Sequence, residues 1–94
     1  MNMPEVSECE VSECAYNQDG LCHALAITIG DPAAPHCDTF CGMMAKGGDP
    51  NSVAGVGACK MTTCKFNGSL ECQAPAISVG YQADEVECLT YRGR

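Results

Sequence analysis

The stretch CEVSECAYNQDGLC (Cys9–Cys22) returns fifty positions later as CKMTTCKFNGSLEC (Cys59–Cys72), and most of what can be said about the chain starts from that duplication. Working outward, a fourth cysteine follows each copy. Cys9, Cys14, Cys22 and Cys37 are separated by four, seven and fourteen residues, and Cys59, Cys64, Cys72 and Cys88 by four, seven and fifteen. Val6, Asn17, Ala24, Ala26, Ile27, Gly30 and Ala33 reappear as Val56, Asn67, Ala74, Ala76, Ile77, Gly80 and Ala83. Beyond a one-residue insertion, Thr39-Phe40 returns as Thr90-Tyr91. The chain therefore divides into repeat one at residues 1–41, a connection at 42–54 and repeat two at 55–94.

Four thiols per unit is the number that closes a tetrahedral metal site. A unit of about forty residues lies at or below the size at which an apolar core alone sustains a fold, so a cross-link is expected. A structural zinc supplies an apparent ~10–16 kcal/mol, against a few kcal/mol for each disulfide. The start, MNMPEVSE, has no positive region before an apolar one and does not read as a secretory signal. No apolar run is long enough to span a bilayer. These features point to the cytoplasm, where thiols stay reduced and bind metal. Nine cysteines also cannot all pair within one chain. The expectation is two zinc ions per chain, one held by Cys9, Cys14, Cys22 and Cys37, the other by Cys59, Cys64, Cys72 and Cys88. Iron ranks second, because the two-residue knuckles common in thiolate iron sites are missing.

Each repeat reads as short strands and loops with little helix. Val6–Val11 and Val56–Met61 form a first extended segment, and Asn17–Gly20 and Asn67–Ser69 are turns. Alternation then puts Leu25, Ile27 and Ile29 on one face, and Pro75, Ile77 and Val79 on its counterpart, with Gly30 and Gly80 as stops. Pro75 delays its strand or places it at an edge. The run to the fourth cysteine reads as loop, with one possible helical turn at Ala83–Leu89. The connection, rich in Gly42, Gly47, Gly48 and Asp49-Pro50, reads as a flexible linker. The fold class expected is thus a pair of small metal-stabilised, zinc-knuckle-like domains in tandem.

Other candidates are weaker. His23 aligns with Gln73 and His36 with Val86, so the repeated chemistry needs neither imidazole, although His36 adjoins Cys37 and could modulate site one. Cys41 aligns with Arg92 and is the surplus thiol. Met43 and Met44 are the linker's large apolar side chains. The formal charge is −7, and residues 1–41 carry seven acids and no lysine or arginine. A face of that sign repels phosphate backbones, so no nucleic acid is expected as partner, and no membrane either.

The pattern Cys-x₄-Cys-(Ala/Lys)-(Tyr/Phe)-Asn, then Cys-x-Ala-x-x-Ile and a closing Cys-x-Thr-(Phe/Tyr), resembles the small bacterial family known as domain-of-unknown-function family 1540. It is carried by Cys9–Asn17, Cys22–Ile27 and Cys37–Phe40, and again by Cys59–Asn67, Cys72–Ile77 and Cys88–Tyr91. The resemblance implies a small cysteine-rich module in two tandem copies and no assigned activity.

An enzyme is not expected. A closed four-thiolate zinc has no open position, and no acid, base and nucleophile recur in both copies. No phosphate loop or cofactor fingerprint is present. The function read from the sequence is a two-site Cys₄ zinc protein acting as a structural or interaction module, with metal ions and another protein as partners. The alternatives are metal storage or buffering of the metallothionein kind, and a thiol redox switch.

Overall fold

A computed structural model describes residues 3–30 and 33–94. Among the described residues there are nine strands and no helix. They are β1 (Glu5–Cys9), β2 (Asn17–Gln18), β3 (Leu21–Cys22), β4 (Ala26–Ile29), β5 (Gly55–Cys59), β6 (Asn67–Gly68), β7 (Glu71–Cys72), β8 (Ala76–Gln82) and β9 (Glu85–Cys88).

The main sheet runs β4-β5-β1-β8-β9, so the repeats exchange strands. β1 of repeat one lies parallel to β8 of repeat two, with Val6 opposite Ile77 and Cys9 opposite Val79. β5 of repeat two lies parallel to β4 of repeat one, with Val56 opposite Ile27 and Cys59 opposite Ile29. The two pairings are the same pairing shifted by fifty positions. At the centre β1 meets β5 antiparallel through Glu5 and Gly55, which are equivalent positions. A pseudo-twofold axis therefore passes between them.

Each first strand carries a bulge at the same place. The register slips between Val6 and Glu8 on β1 and, on the other pair, opposite Ile27 and Thr28, where Gly57 is the extra residue. One extra residue restores the side-chain phase. Val6 and Cys9, three apart, can thus both be buried, as can Val56 and Cys59. Ser7 donates its hydroxyl to the carbonyl of Ile77 across the exchange (3.0 Å).

The sheet's edges are joined by the residues before the fourth cysteines. Cys37 bridges Ile29 of β4, and His36 bridges Glu87 of β9. The Cys37 amide donates to the Val86 carbonyl (2.9 Å) and the Cys88 amide to the Pro35 carbonyl (2.8 Å). Allowing for the insertion, His36 and Glu87 are again equivalent positions, so the same axis passes through this seam. The circuit of paired strands closes into a flattened ring of 36 × 31 × 15 Å. Closure joins the two edges of the five-stranded sheet through this seam. The radius of gyration, 12.1 Å, is that of one compact body of this length.

The two-residue hairpin loops explain where the small strands sit. Asp19 and Gly20 have φ of 56° and 83°, Ser69 and Leu70 of 55° and 67°, and Ala83 and Asp84 of 51° and 65°. Positive φ at both central residues is the primed turn that matches strand twist. Asn17 and Asn67 tie the small hairpins to the first strands, each donating its buried side-chain amide 2.8 Å to the carbonyl of Cys9 or Cys59.

Several expectations are corrected. The Ala83–Leu89 stretch is the turn and strand of the β8–β9 hairpin, and β8 runs through Gly80 instead of stopping there. Leu25 falls just outside β4 and is 74% exposed. The connection is not a free linker. Gly47 donates to the Ala15 carbonyl (2.8 Å), Asp49 to that of His23 (2.8 Å) and Ala54 to that of Cys22 (2.9 Å). Lys46 reaches the carbonyls of Ser12 (3.1 Å) and Cys14 (3.2 Å). Gly48, at φ 86°, passes so close that a Cβ would stand 2.3 Å from the His23 oxygen. Two tandem domains on a flexible tether are thus replaced by one body with a shared core.

Candidate functional site

In each repeat four thiols are brought to one apolar pocket from four separate elements. Cys9 ends β1, Cys14 sits in the following turn, Cys22 ends β3 and Cys37 belongs to the ring-closing seam. Cys59, Cys64, Cys72 and Cys88 occupy the same places in repeat two. Both pockets line with branched and aromatic side chains, and each is finished by the other repeat. Val79 and Val86 enter the repeat-one pocket, and Ile29 and Pro35 the repeat-two pocket. The enclosed space is about 20 Å³ in each, room for roughly one water-sized sphere.

The eight cysteines singled out from spacing line the two pockets in groups of four, but the zinc reading fails. Among the described residues no group of three or more His, Cys, Asp or Glu side chains is placed to hold a metal ion. The expected two zinc ions, the metal-stabilised knuckle fold, and metal ions as partners are corrected on that ground. No disulfide joins any of the nine cysteines, and metal buffering and the zinc-releasing redox switch are corrected with the zinc sites on the same ground. The surroundings of the thiols are apolar. Burial pushes the Cys37 and Cys88 thiols up to about 11, against backbone hydrogen bonds that favour the thiolate and with neighbouring thiols adding to the rise. Burial raises Cys22 and Cys72 in the same direction. A neutral buried thiol packs as a small hydrophobe with a weak donor. Cys9, Cys14, Cys22, Cys59, Cys64 and Cys88 belong to the same core cluster as Val6, Ile27, Val56 and Ile77, and Cys37 and Cys72 pack against it.

Strand exchange also doubles the forty-residue folding unit and merges the two cores, reaching a size at which domains fold without a cross-link.

The remaining candidates are structural. His23 is buried and its Nδ1 donates to the carbonyl of Ser52 (2.7 Å), pinning the connection. His36 turns its Nε2 to Glu87 (3.5 Å) and Glu85 (3.8 Å) across the seam, away from a ligand role. Cys41 is half-buried and its carbonyl accepts from the Ala15 amide (2.7 Å); it is not among the residues lining the repeat-one pocket. Glu13 and Tyr81 form a cross-repeat hydrogen bond that lowers the carboxyl and pushes the phenol up to about 12.

The sequence reading missed a surface feature. Met3, Leu25 and Val53 are 52%, 74% and 37% exposed. With Glu5, Ala54 and Gly55 they line an open concavity of about 320 Å³ at the pseudo-twofold axis, where the strand starts converge. Leu25 was masked by its alternation in phase with Ile27 and Ile29.

The fold and its thiol pockets define a cysteine-rich β module duplicated within one chain. The sequence profile of the Domain of Unknown Function family DUF1540 matches residues 8–42 and 58–91, well over half of the chain, and the protein belongs to that family as a tandem repeat. No curated relative and no solved structure matches it.

Proposed function

We propose that the chain is a non-catalytic binding module that recognises a protein partner on its outer surface and uses its thiols for packing. One contrast carries this reading. The enclosed spaces hold about 20 Å³ each, far below the few hundred that a small-molecule site encloses. Exposed apolar side chains gather instead around an open concavity, at Met3, Leu25 and Val53. The burial of one leucine there is worth about 1.5–3 kcal/mol, or tenfold or more in affinity.

The test compares wild type with Leu25→Glu in quantitative cross-linking and co-purification from the source cells. Circular dichroism first establishes that both fold alike. A partner recovered with wild type and reduced about tenfold or more with the variant supports the proposal. Equal recovery, or none with either protein, refutes it.

A further inference from the structure

We infer that the strand-exchange edge of each repeat is a recognition surface for the complementary repeat of any chain, so that this protein can close its ring with a second copy of itself. Every contact that joins the repeats has the form of a contact between two molecules. β1 pairs with β8 and β5 with β4 in the same register, and each pocket is incomplete until the other repeat supplies its two side chains. The two places where the axis crosses the ring pair equivalent positions, Glu5 with Gly55 and His36 with Glu87, as an isologous dimer does. Only the connection at 42–54 makes the association intramolecular. Its effect is a high effective concentration, of millimolar order for a short tether. Ring closure between chains uses the same contacts, the condition for domain swapping.

The axis also sets which repeats pair. Repeat one against repeat two places Glu5 opposite an uncharged Gly55, and the His36 ring 3.5 Å from Glu87. Repeat one against itself would set Glu5 opposite Glu5, and repeat two against itself Glu87 opposite Glu87. Like charges directly across a strand pair are destabilising, and such repulsion is how specificity is built against a near-identical partner. The intermolecular ring is therefore heterotypic, repeat one of one copy with repeat two of the other.

Two full-length variants test this. Val6 and Val56 are 0% and 1% exposed on β1 and β5, so Val6→Asp disables repeat one and Val56→Asp disables repeat two. Each variant alone is expected to lack native amide signals and remain monomeric. An equimolar mixture refolded from denaturant is expected to give a 1:1 heterodimer, twice the 9.8 kDa chain mass, with one set of native signals from the intact repeat of each chain. A mixture that stays unassociated overturns the inference. So does either variant showing its intact repeat folded as a monomer, which would mean that repeats need no partner. Dimers of one variant alone would overturn the heterotypic rule.

Discussion

Replacing Ile29 by alanine separates a shared core from two autonomous ones. Ile29 belongs to repeat one in sequence, yet its side chain lines the thiol pocket of repeat two and is 2% exposed. Removing three carbons forfeits about 0.8 kcal/mol each in transfer, and the residual cavity brings the cost to roughly 3 kcal/mol within the 2–5 observed for such changes. That is a large share of the 5–15 kcal/mol available to a domain. In a chain of this length it lowers the midpoint temperature by roughly 12–24 °C. The assay follows amide resonances of both repeats through a denaturant titration. Signals from Ile77 and Cys88 should lose the same free energy as those from Val6 and Cys22, in one transition. If repeat-two amides keep their wild-type midpoint while those of repeat one shift, the cores are separate and the exchanged topology is wrong.

Two further outcomes follow from the thiol pockets. Protein prepared under reducing conditions with a strong chelator should keep its fold and its midpoint temperature, checked by circular dichroism; unfolding on chelation would reinstate a structural metal. Stability should also fall in alkali. An unfolded cysteine ionises near 8.5, whereas Cys37 and Cys88 are held up to about 11, so the stabilisation is complete below the unfolded value and is lost as pH rises through the folded one. Denaturant midpoints measured between pH 7 and 11 should decline above about 8.5, and Cys37→Ala with Cys88→Ala should flatten that decline.

Much of the local structure was legible. The turns that follow Asn17 and Asn67, at Asp19-Gly20 and Ser69-Leu70, the strands around Ile27 and Ile77, and the start of β8 just after Pro75 follow from turn chemistry and alternation. The β8–β9 hairpin was not, because Ala83-Asp84 lacks the Asn-Gly signature of a primed turn. The exchange between repeats was hidden for a deeper reason. Alternation reports which residues are buried and is silent on which strand covers them. Val6 reads equally well beside Ile27 of its own repeat or Ile77 of the other.

The duplicated cysteine spacing teaches where such a signal stops. Two copies with the same four positions establish that the four residues share an environment in each copy. They do not establish what that environment is. Converging thiolates and a packed wall of neutral thiols both require small, buried side chains at fixed places in a fold, and both keep their spacing when the fold is duplicated. What separates them is the pocket's remaining lining, and two of those residues in each pocket come from the other repeat. Val79 and Val86 complete one pocket, and Ile29 and Pro35 the other. Those contributions are apolar, they raise the cost of ionising the thiols, and they could not be assigned before the strand exchange was known. The topology thus decides the chemistry of the cysteines as much as their spacing does.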